Sequence, residues 1–278
     1  MIDRSQPLGL VAGAGRFPIV FAERVRQLGL PLVCVGLREM ADPALENLAS
    51  TFTWCGIAKL GRMLHTLRRG GVRSFVMAGK VHKVRIIGMP WRFWRLMPDW
   101  RMLRMWYGRR RDNRDDSILL NLIAEAERDG LHCASALELC PELLVRPGTL
   151  TRREPTRDEW RDIEFGWDLA REMGRLDVGQ SVVVKERAVL AVEAIEGTDA
   201  AIARGGELCP RGGFTVVKVA KPQQDMRFDV PTVGPTTIES IRRAGGSVLA
   251  IEAAKTILLD EAETIALADA HRISIVAR

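Results

Sequence analysis

The stretch Leu8-Gly9-Leu10-Val11-Ala12-Gly13-Ala14-Gly15-Arg16-Phe17-Pro18 sets the architecture of the first half of the chain. Residues 8–13 are apolar and short, as a buried strand requires. Gly13-Ala14-Gly15 makes a turn. A helix over 18–28 follows, with Pro18 near its first turn, where a missing N–H costs nothing. A second strand is expected at 31–37, a helix at 58–69, and a third strand at 74–78 ending on Gly79-Lys80. Strands alternating with helices predict a parallel sheet with right-handed crossovers. Residues 1–145 are therefore expected to form a Rossmann-like domain.

Downstream, residues 81–111 break this rhythm with Trp, Arg, Pro90 and Pro98. An amphipathic helix returns at 115–129, with Ile118, Leu119, Leu122, Ile123 and Ala126 on one side. Residues 146–157, from Arg146-Pro147-Gly148 past Glu154-Pro155, have the composition of a linker. The segment 158–278 is expected to be a mixed α+β domain. It has helices at 158–174, 235–244 and 260–271, and strands at 181–185, 188–194, 214–220 and 273–277. Residues 247–252 and 256–259 are expected to form a pair of strands. The fold class is thus α/β, with no internal repeat.

Composition narrows the function classes. The chain has 278 residues, 47% hydrophobic and 27% charged, which is ordinary globular usage. No apolar run approaches the ~20 residues that span a bilayer, and Met1–Gln6 carries no signal-peptide core. Five scattered cysteines are expected to be reduced, as in a cytoplasm. The net charge of +6 is local: residues 91–111 hold seven Arg and one acid, Asp99, while the rest of the chain balances. That distribution argues against a nucleic-acid partner, which would draw on a wider basic surface. Trp100, Leu103 and Trp106 share a helical spacing, with Arg101 and Arg104 beside them. This is the chemistry of an interfacial membrane segment, of a helix packed on its own domain or a partner subunit, or of stacking on single-stranded nucleic acid.

Three further motifs carry chemistry. Gly13–Pro18 can hold a phosphate on backbone N–H groups and a helix N-terminus, or be a plain βα turn. Pro18 stands where a dinucleotide fingerprint has its third glycine. Glu193-Ala194-Ile195-Glu196-Gly197-Thr198-Asp199 gathers carboxylates and a hydroxyl at a strand end. It could hold a cation or ribose hydroxyls, or place Thr198 or Asp199 as a helix N-cap. The run from Lys218 to Thr237 interleaves Lys218, Lys221, Arg227, Asp225 and Asp229 with Pro and Gly. Its cations can neutralise phosphate, and its carboxylates can bind metal or orient water. No nucleophile elbow, zinc-binding helix motif or Walker sequence is present, and the four His are isolated. Hydrolysis would rest on carboxylates and a hard cation.

Taken together, Leu10–Pro18, Ala78-Gly79-Lys80-Val81, Gly174–Gln180, Ala191–Asp199 and Lys221–Gly234 resemble the LpxI family of UDP-2,3-diacylglucosamine pyrophosphatases, in order, over nearly the whole chain. The resemblance implies two domains holding a lipid nucleotide between them. It also implies Mg²⁺- or Mn²⁺-dependent hydrolysis to UMP and 2,3-diacylglucosamine 1-phosphate in lipid A synthesis, with water attacking the sugar-side phosphorus. The family's catalytic aspartate falls on Asp229, with Asp225 in support, and both are metal-ligand candidates. Substrate contacts are expected from Gly13, Gly15, Phe17, Pro18, Gly79, Lys80, Glu196, Thr198, Asp199, Lys218, Lys221, Gln224, Arg227, Thr232 and Gly234. The expected location is cytoplasmic, peripheral to the inner membrane of a Gram-negative bacterium, with a homo-oligomer compatible. Two rival expectations are a nicotinamide-dependent oxidoreductase and a non-catalytic membrane-associated lipid-nucleotide binder.

Overall fold

The structure is a computed structural model that describes residues 2–81, 97–107 and 115–278. The chain divides into two compact units, Met1–Pro141 and Glu142–Arg278.

The first unit is built on parallel strands β1 (Leu8–Ala12), β2 (Leu32–Leu37), β3 (Thr51–Cys55), β4 (Ser74–Ala78) and β5 (His132–Cys133), in the order β3-β2-β1-β4-β5. Every residue of β1 and β2 is buried, which explains their uninterrupted apolar sequence: helices cover both faces of a parallel sheet. Helices α1 (Phe17–Gln27), α2 (Leu45–Leu48) and α3 (Leu60–Arg69) provide the crossovers. β3 and α2 were not expected from the sequence. β3 is an edge strand, half-exposed along most of its length, so its Thr-Phe-Thr-Trp pattern lacks the apolar run that marks β1 and β2.

The basic segment is partly described. Helix α4 (Trp100–Tyr107) precedes α5 (Asp115–Arg128). Trp91, Trp94, Arg92, Arg95, Arg109, Arg110 and Arg111 lie outside the described residues, as does the Trp106 side chain. Asp99 fastens two helix starts. One carboxylate oxygen accepts from Met102 N at 2.9 Å, capping α4, and the other accepts from Gly61 N at 2.6 Å and Arg62 N at 3.3 Å in the first turn of α3. Each such cap contributes about 1 kcal/mol.

Arg101 differs from its expected role. Its guanidinium meets both oxygens of Asp129 and one of Glu125, together with the Glu125 carbonyl. The ion pair holds the Asp129 carboxyl below its ordinary range. Arg104 and Arg128 close on the same Glu125. Arg101 therefore joins α4 to α5 rather than standing free at the surface. Trp100, by contrast, is 80% exposed.

The second unit is a three-layer α/β structure. Strands β6 (Gly148–Thr149), β7 (Ser181–Lys185), β8 (Ala188–Val192), β9 (Thr215–Lys218), β11 (Val248–Ile251) and β13 (Ser274–Ala277) form a sheet in the order β6-β13-β11-β9-β7-β8. The central β9, β11 and β13 are parallel, and the remaining pairings are antiparallel. Alternate residues face opposite layers. Val216, Leu249 and Ile275 pack with Ile202 of α7 (Thr198–Leu208), Ile238 of α8 (Pro235–Ala244) and Ala268 of α9 (Glu261–Ala270). Val217, Ala250 and Val276 pack with Ile163, Trp167 and Ala170 of α6 (Arg157–Arg175). Burial of each large aliphatic side chain here contributes about 1.5–3 kcal/mol.

Two details depart from expectation. Residues 247–252 and 256–259 do not pair with each other. β11 is central in the large sheet, whereas β12 (Ile257–Leu258) pairs in parallel with β10 (Thr232–Val233). The 146–157 segment is fastened to this unit rather than free. Gly148 and Thr149 pair with β13, and Arg153 donates to both oxygens of Glu159 at 2.7 Å and to Ser274 at 2.6 Å. Thr156 and Glu159 complete a capping box at the start of α6. Pro and Gly suit an edge strand as well as a linker, so composition did not separate the two.

Candidate active site

In the first unit, the strand order reverses direction between β1 and β4, the position where α/β sheets open a ligand crevice at their carboxyl ends. Here the two loops are stitched together. Gly13 N donates to Ala78 O at 2.8 Å, and Ala14 and Lys80 exchange backbone bonds at 2.9 and 2.8 Å. The glycines permit that approach. A Cβ on Gly13 would lie 2.7 Å from Lys80 O, and one on Gly79, at φ +94°, 2.8 Å from Ala14 O. The amides of Gly13 and Ala14 are thus taken by the neighbouring loop. Exposed Gly15, at φ +103°, and the N-terminus of α1 form the outward part of the turn, with Phe17 half-buried and Pro18 buried against it. An N-terminus without a side-chain cap suits an anion. Lys80 is exposed beside it.

In the second unit, the cation- and carboxylate-bearing loop joins β9 to β10. Its entrance is pinned by Val219 N to Gln180 O at 3.0 Å, by Ala220 N to Glu252 Oε2 at 2.9 Å and by the Lys221–Asp177 ion pair at 2.6 Å. Gln224 Oε1 accepts from Lys221 N at 2.9 Å. The middle of the loop is a tight turn in which Phe228 N and Asp229 N both donate to the Asp225 carbonyl, at 3.2 and 3.0 Å. Asp229 is half-buried. Thr232 Oγ1 donates to Val230 O at 3.0 Å at the exit, and Gly234 and Pro235 then open α8.

Asp225 is engaged differently from the expectation that it ligates metal. Arg227 donates to both its carboxylate oxygens, at 2.7 to 3.1 Å, and holds the Asp225 carboxyl below its ordinary range. A guanidinium on both oxygens neutralises the carboxylate and takes up part of its lone-pair capacity, so a cation would compete with Arg227 for it. Among the described residues no group of three or more His, Cys, Asp or Glu gathers to hold a metal. Magnesium needs less from a protein, commonly one or two carboxylates with water and substrate phosphate oxygens completing its shell. Asp229 is compatible with that requirement, whereas Asp225 would first have to share its carboxylate with Arg227.

Lys218 is also placed otherwise than expected for a pyrophosphate contact. It is 3% exposed, and its ammonium donates to Thr198 Oγ1 at 3.3 Å and to the Thr232 carbonyl at 3.1 Å. Nor is Thr198 or Asp199 an N-cap. Gly197, at φ +88°, occupies that position, and no side chain caps α7. The Thr198 hydroxyl turns inward instead, donating to Glu193 Oε1 at 3.0 Å and lying 3.2 Å from Ser181 Oγ. Asp199 accepts from Ser240 Oγ at 2.9 Å, and Glu196 pairs with Arg204 at 2.8 Å. The structure therefore brings Thr198, Lys218 and Thr232 together. It leaves Glu196 and Asp199 in separate local contacts, and Gly13–Pro18 with Gly79–Lys80 belong to the other unit.

Ser181 in this cluster, and Asp177 and Glu252 as the groups that pin the loop, were not expected from the sequence, nor was the Glu193 side chain's bond to Thr198. Glu193 stood in plain view within its motif. What conceals it is its place one residue past β8, where Glu193 N donates to Ser181 O at 2.9 Å and its side chain meets Thr198.

Fold and site define a two-unit α/β protein, with an anion-suited glycine turn in one unit and an aspartate-bearing, doubly pinned loop in the other. The sequence matches the LpxI N-terminal domain over residues 7–143 and the LpxI C-terminal domain over residues 146–276. It is 35% identical over 273 residues to the UDP-2,3-diacylglucosamine pyrophosphatase LpxI of Caulobacter vibrioides, covering 94% of each chain. The chain belongs to the LpxI family.

Proposed function

We propose that this protein hydrolyses the pyrophosphate bond of UDP-2,3-diacylglucosamine, releasing UMP and 2,3-diacylglucosamine 1-phosphate for lipid A synthesis. The supporting observation is the near full-length match to a relative that carries that activity in its name. Water adds to the sugar-side phosphorus, the bridging P–O bond breaks, and UMP leaves with the bridging oxygen. Asp229 is the carboxylate suited to orient that water and accept its proton, on a loop held at both ends. Arg227 and Lys221 carry positive charge on the same loop. An anionic substrate competes for each against its present partner, Asp225 or Asp177.

Mg²⁺ or Mn²⁺ would be held by Asp229 with substrate phosphate oxygens, and when bound it supplies charge neutralisation at the phosphoryl group. Chelation by excess EDTA is expected to stop UMP release and added Mg²⁺ or Mn²⁺ to restore it. Full turnover in chelator would remove the metal from the reaction. UDP-N-acetylglucosamine, which lacks the acyl chains, is expected to be a poor substrate, and equal cleavage would argue against recognition of the lipid.

The 91–111 segment supports peripheral attachment to the cytoplasmic face of the inner membrane. No helix among the described residues is long and apolar enough to cross one. Trp100 and Met97 stand exposed beside the arginine-rich sequence, and an anionic surface attracts each nearby Arg by roughly 1 kcal/mol. Sedimentation with vesicles containing anionic lipid should exceed that with neutral vesicles, and added salt should weaken but not abolish it, because screening acts on the arginines and not on the tryptophan. Equal binding to both vesicle types would make the segment purely structural.

A further inference from the structure

Lys218 lies at the end of β9 with almost no contact with water, next to the N-terminus of α7, where a positive charge is disfavoured. A buried cation in such a place is weak evidence for stability, since an apolar side chain of the same volume commonly serves as well or better. Its neighbours on the Thr198 side are nevertheless joined in a defined hydrogen-bond chain. Thr198 donates its single hydroxyl proton to Glu193 and accepts from Lys218, so the remaining contact requires Ser181 to donate to Thr198. The Thr198 hydroxyl is thereby saturated. Glu193 is 8% exposed, and its second oxygen makes no hydrogen bond.

The other end of the network is the Thr232 carbonyl. β10 has two residues, and among the described residues it pairs with β12 alone. Ile257 N takes the carbonyl of Pro231 and Leu259 N that of Val233, both toward β12. Successive carbonyls of a strand point to opposite sides, so the carbonyl of Thr232 faces away from β12, and there it meets Lys218 Nζ at 3.1 Å. The ammonium takes the place of a neighbouring strand on the open side of β10. A two-residue ladder is too short to fix its own register.

We infer that Lys218 is a positioning residue: bound to Thr198, which Glu193 orients in turn, its ammonium anchors Thr232 and so fixes the segment that carries Asp229. This rests on the hydrolase activity proposed above for its kinetic consequence, but not for its structural one.

The test uses the full-length protein with Lys218→Met, and with the double variant Lys218→Met/Glu193→Gln, which leaves no uncompensated buried charge if the single variant fails to fold. Two readouts are taken: hydrogen exchange at the amides of residues 229–234, and steady-state kinetics on UDP-2,3-diacylglucosamine. In the double variant exchange at 229–234 is expected to rise at least about tenfold while exchange in β11 stays unchanged, the pattern of local opening. kcat is expected to fall on the order of 10- to 100-fold, as a misplaced catalytic group requires, with KM altered only about twofold. A large rise in KM with exchange at 229–234 unchanged would make Lys218 a direct phosphate contact and overturn the inference. Wild-type kcat in the double variant would overturn it as well. Were the wild-type protein itself inactive on this substrate, the activity would be refuted, and the exchange measurement would still decide the anchoring of Thr232.

Discussion

Replacing Asp229 by Ala is expected to lower kcat by on the order of 10²-fold or more, with KM little changed. A carboxylate that orients water or holds a cation acts chiefly on the charge that develops at the transition state, so its loss registers in turnover before binding. The fold should tolerate the change. Asp229 is half-buried, and its backbone amide, which donates to the Asp225 carbonyl, survives in alanine. Removing one negative charge also lessens repulsion of the substrate phosphates, so UMP affinity is expected to stay level or rise. The checks are initial rates of UMP release across substrate concentrations, with thermal melting as the control for folding. Activity within a few-fold of wild type would displace Asp229 from the reaction.

Gly179→Ala is expected to cost more in stability than any other single methyl addition in the second unit. A Cβ at this buried position would stand 2.0 Å from the carbonyl oxygen of Glu193 and 2.7 Å from its carbonyl carbon. Those are backbone atoms, held where Glu193 N donates to Ser181 O at 2.9 Å. A flexible side chain could swing aside, but here the end of β8 has to separate from the start of β7. Overpacking usually costs about 1–3 kcal/mol, and a clash with fixed backbone belongs at or above the top of that range. Melting should fall by roughly 10 °C, and turnover should fall with it, since Glu193 is joined to Lys218 through Thr198. A melting temperature within about 2 °C of wild type would show that the β7–β8 junction adapts more readily than its contacts indicate.

Much of the fold was legible because its strands are buried on both faces. β1, β2 and β4 are short apolar runs, β1 and β4 followed directly by glycine, and the helix over 235–244 begins on Pro235 and ends at Gly245, whose φ of +83° is the left-handed stop a helix favours. β3, β10 and the pairing of β6 were not legible. These are edge or two-residue strands, fixed by tertiary partners rather than by their own pattern. The candidate site divides in the same way. The residue types of the 218–237 run pointed to phosphate chemistry, and Asp229 lies in its loop as a half-buried carboxylate. Which charges are available was not readable. Asp225 against Arg227, Lys221 against Asp177 and Lys218 inside the core depend on distances that sequence separation does not encode.

Asp99, the lone acid among seven arginines, shows what a dual attachment does to the tolerance of a position. Because one carboxylate serves the first turns of both α3 and α4, the two helix starts are not independent units of evolution. Substitution by Ser or Thr, each an adequate cap for a single helix, brings only one oxygen and so abandons one of the two. Asn retains two polar ends, but one of them is a donor facing an N–H. Aspartate alone supplies two accepting oxygens on so short a side chain, so this one position fixes the starts of both helices at once.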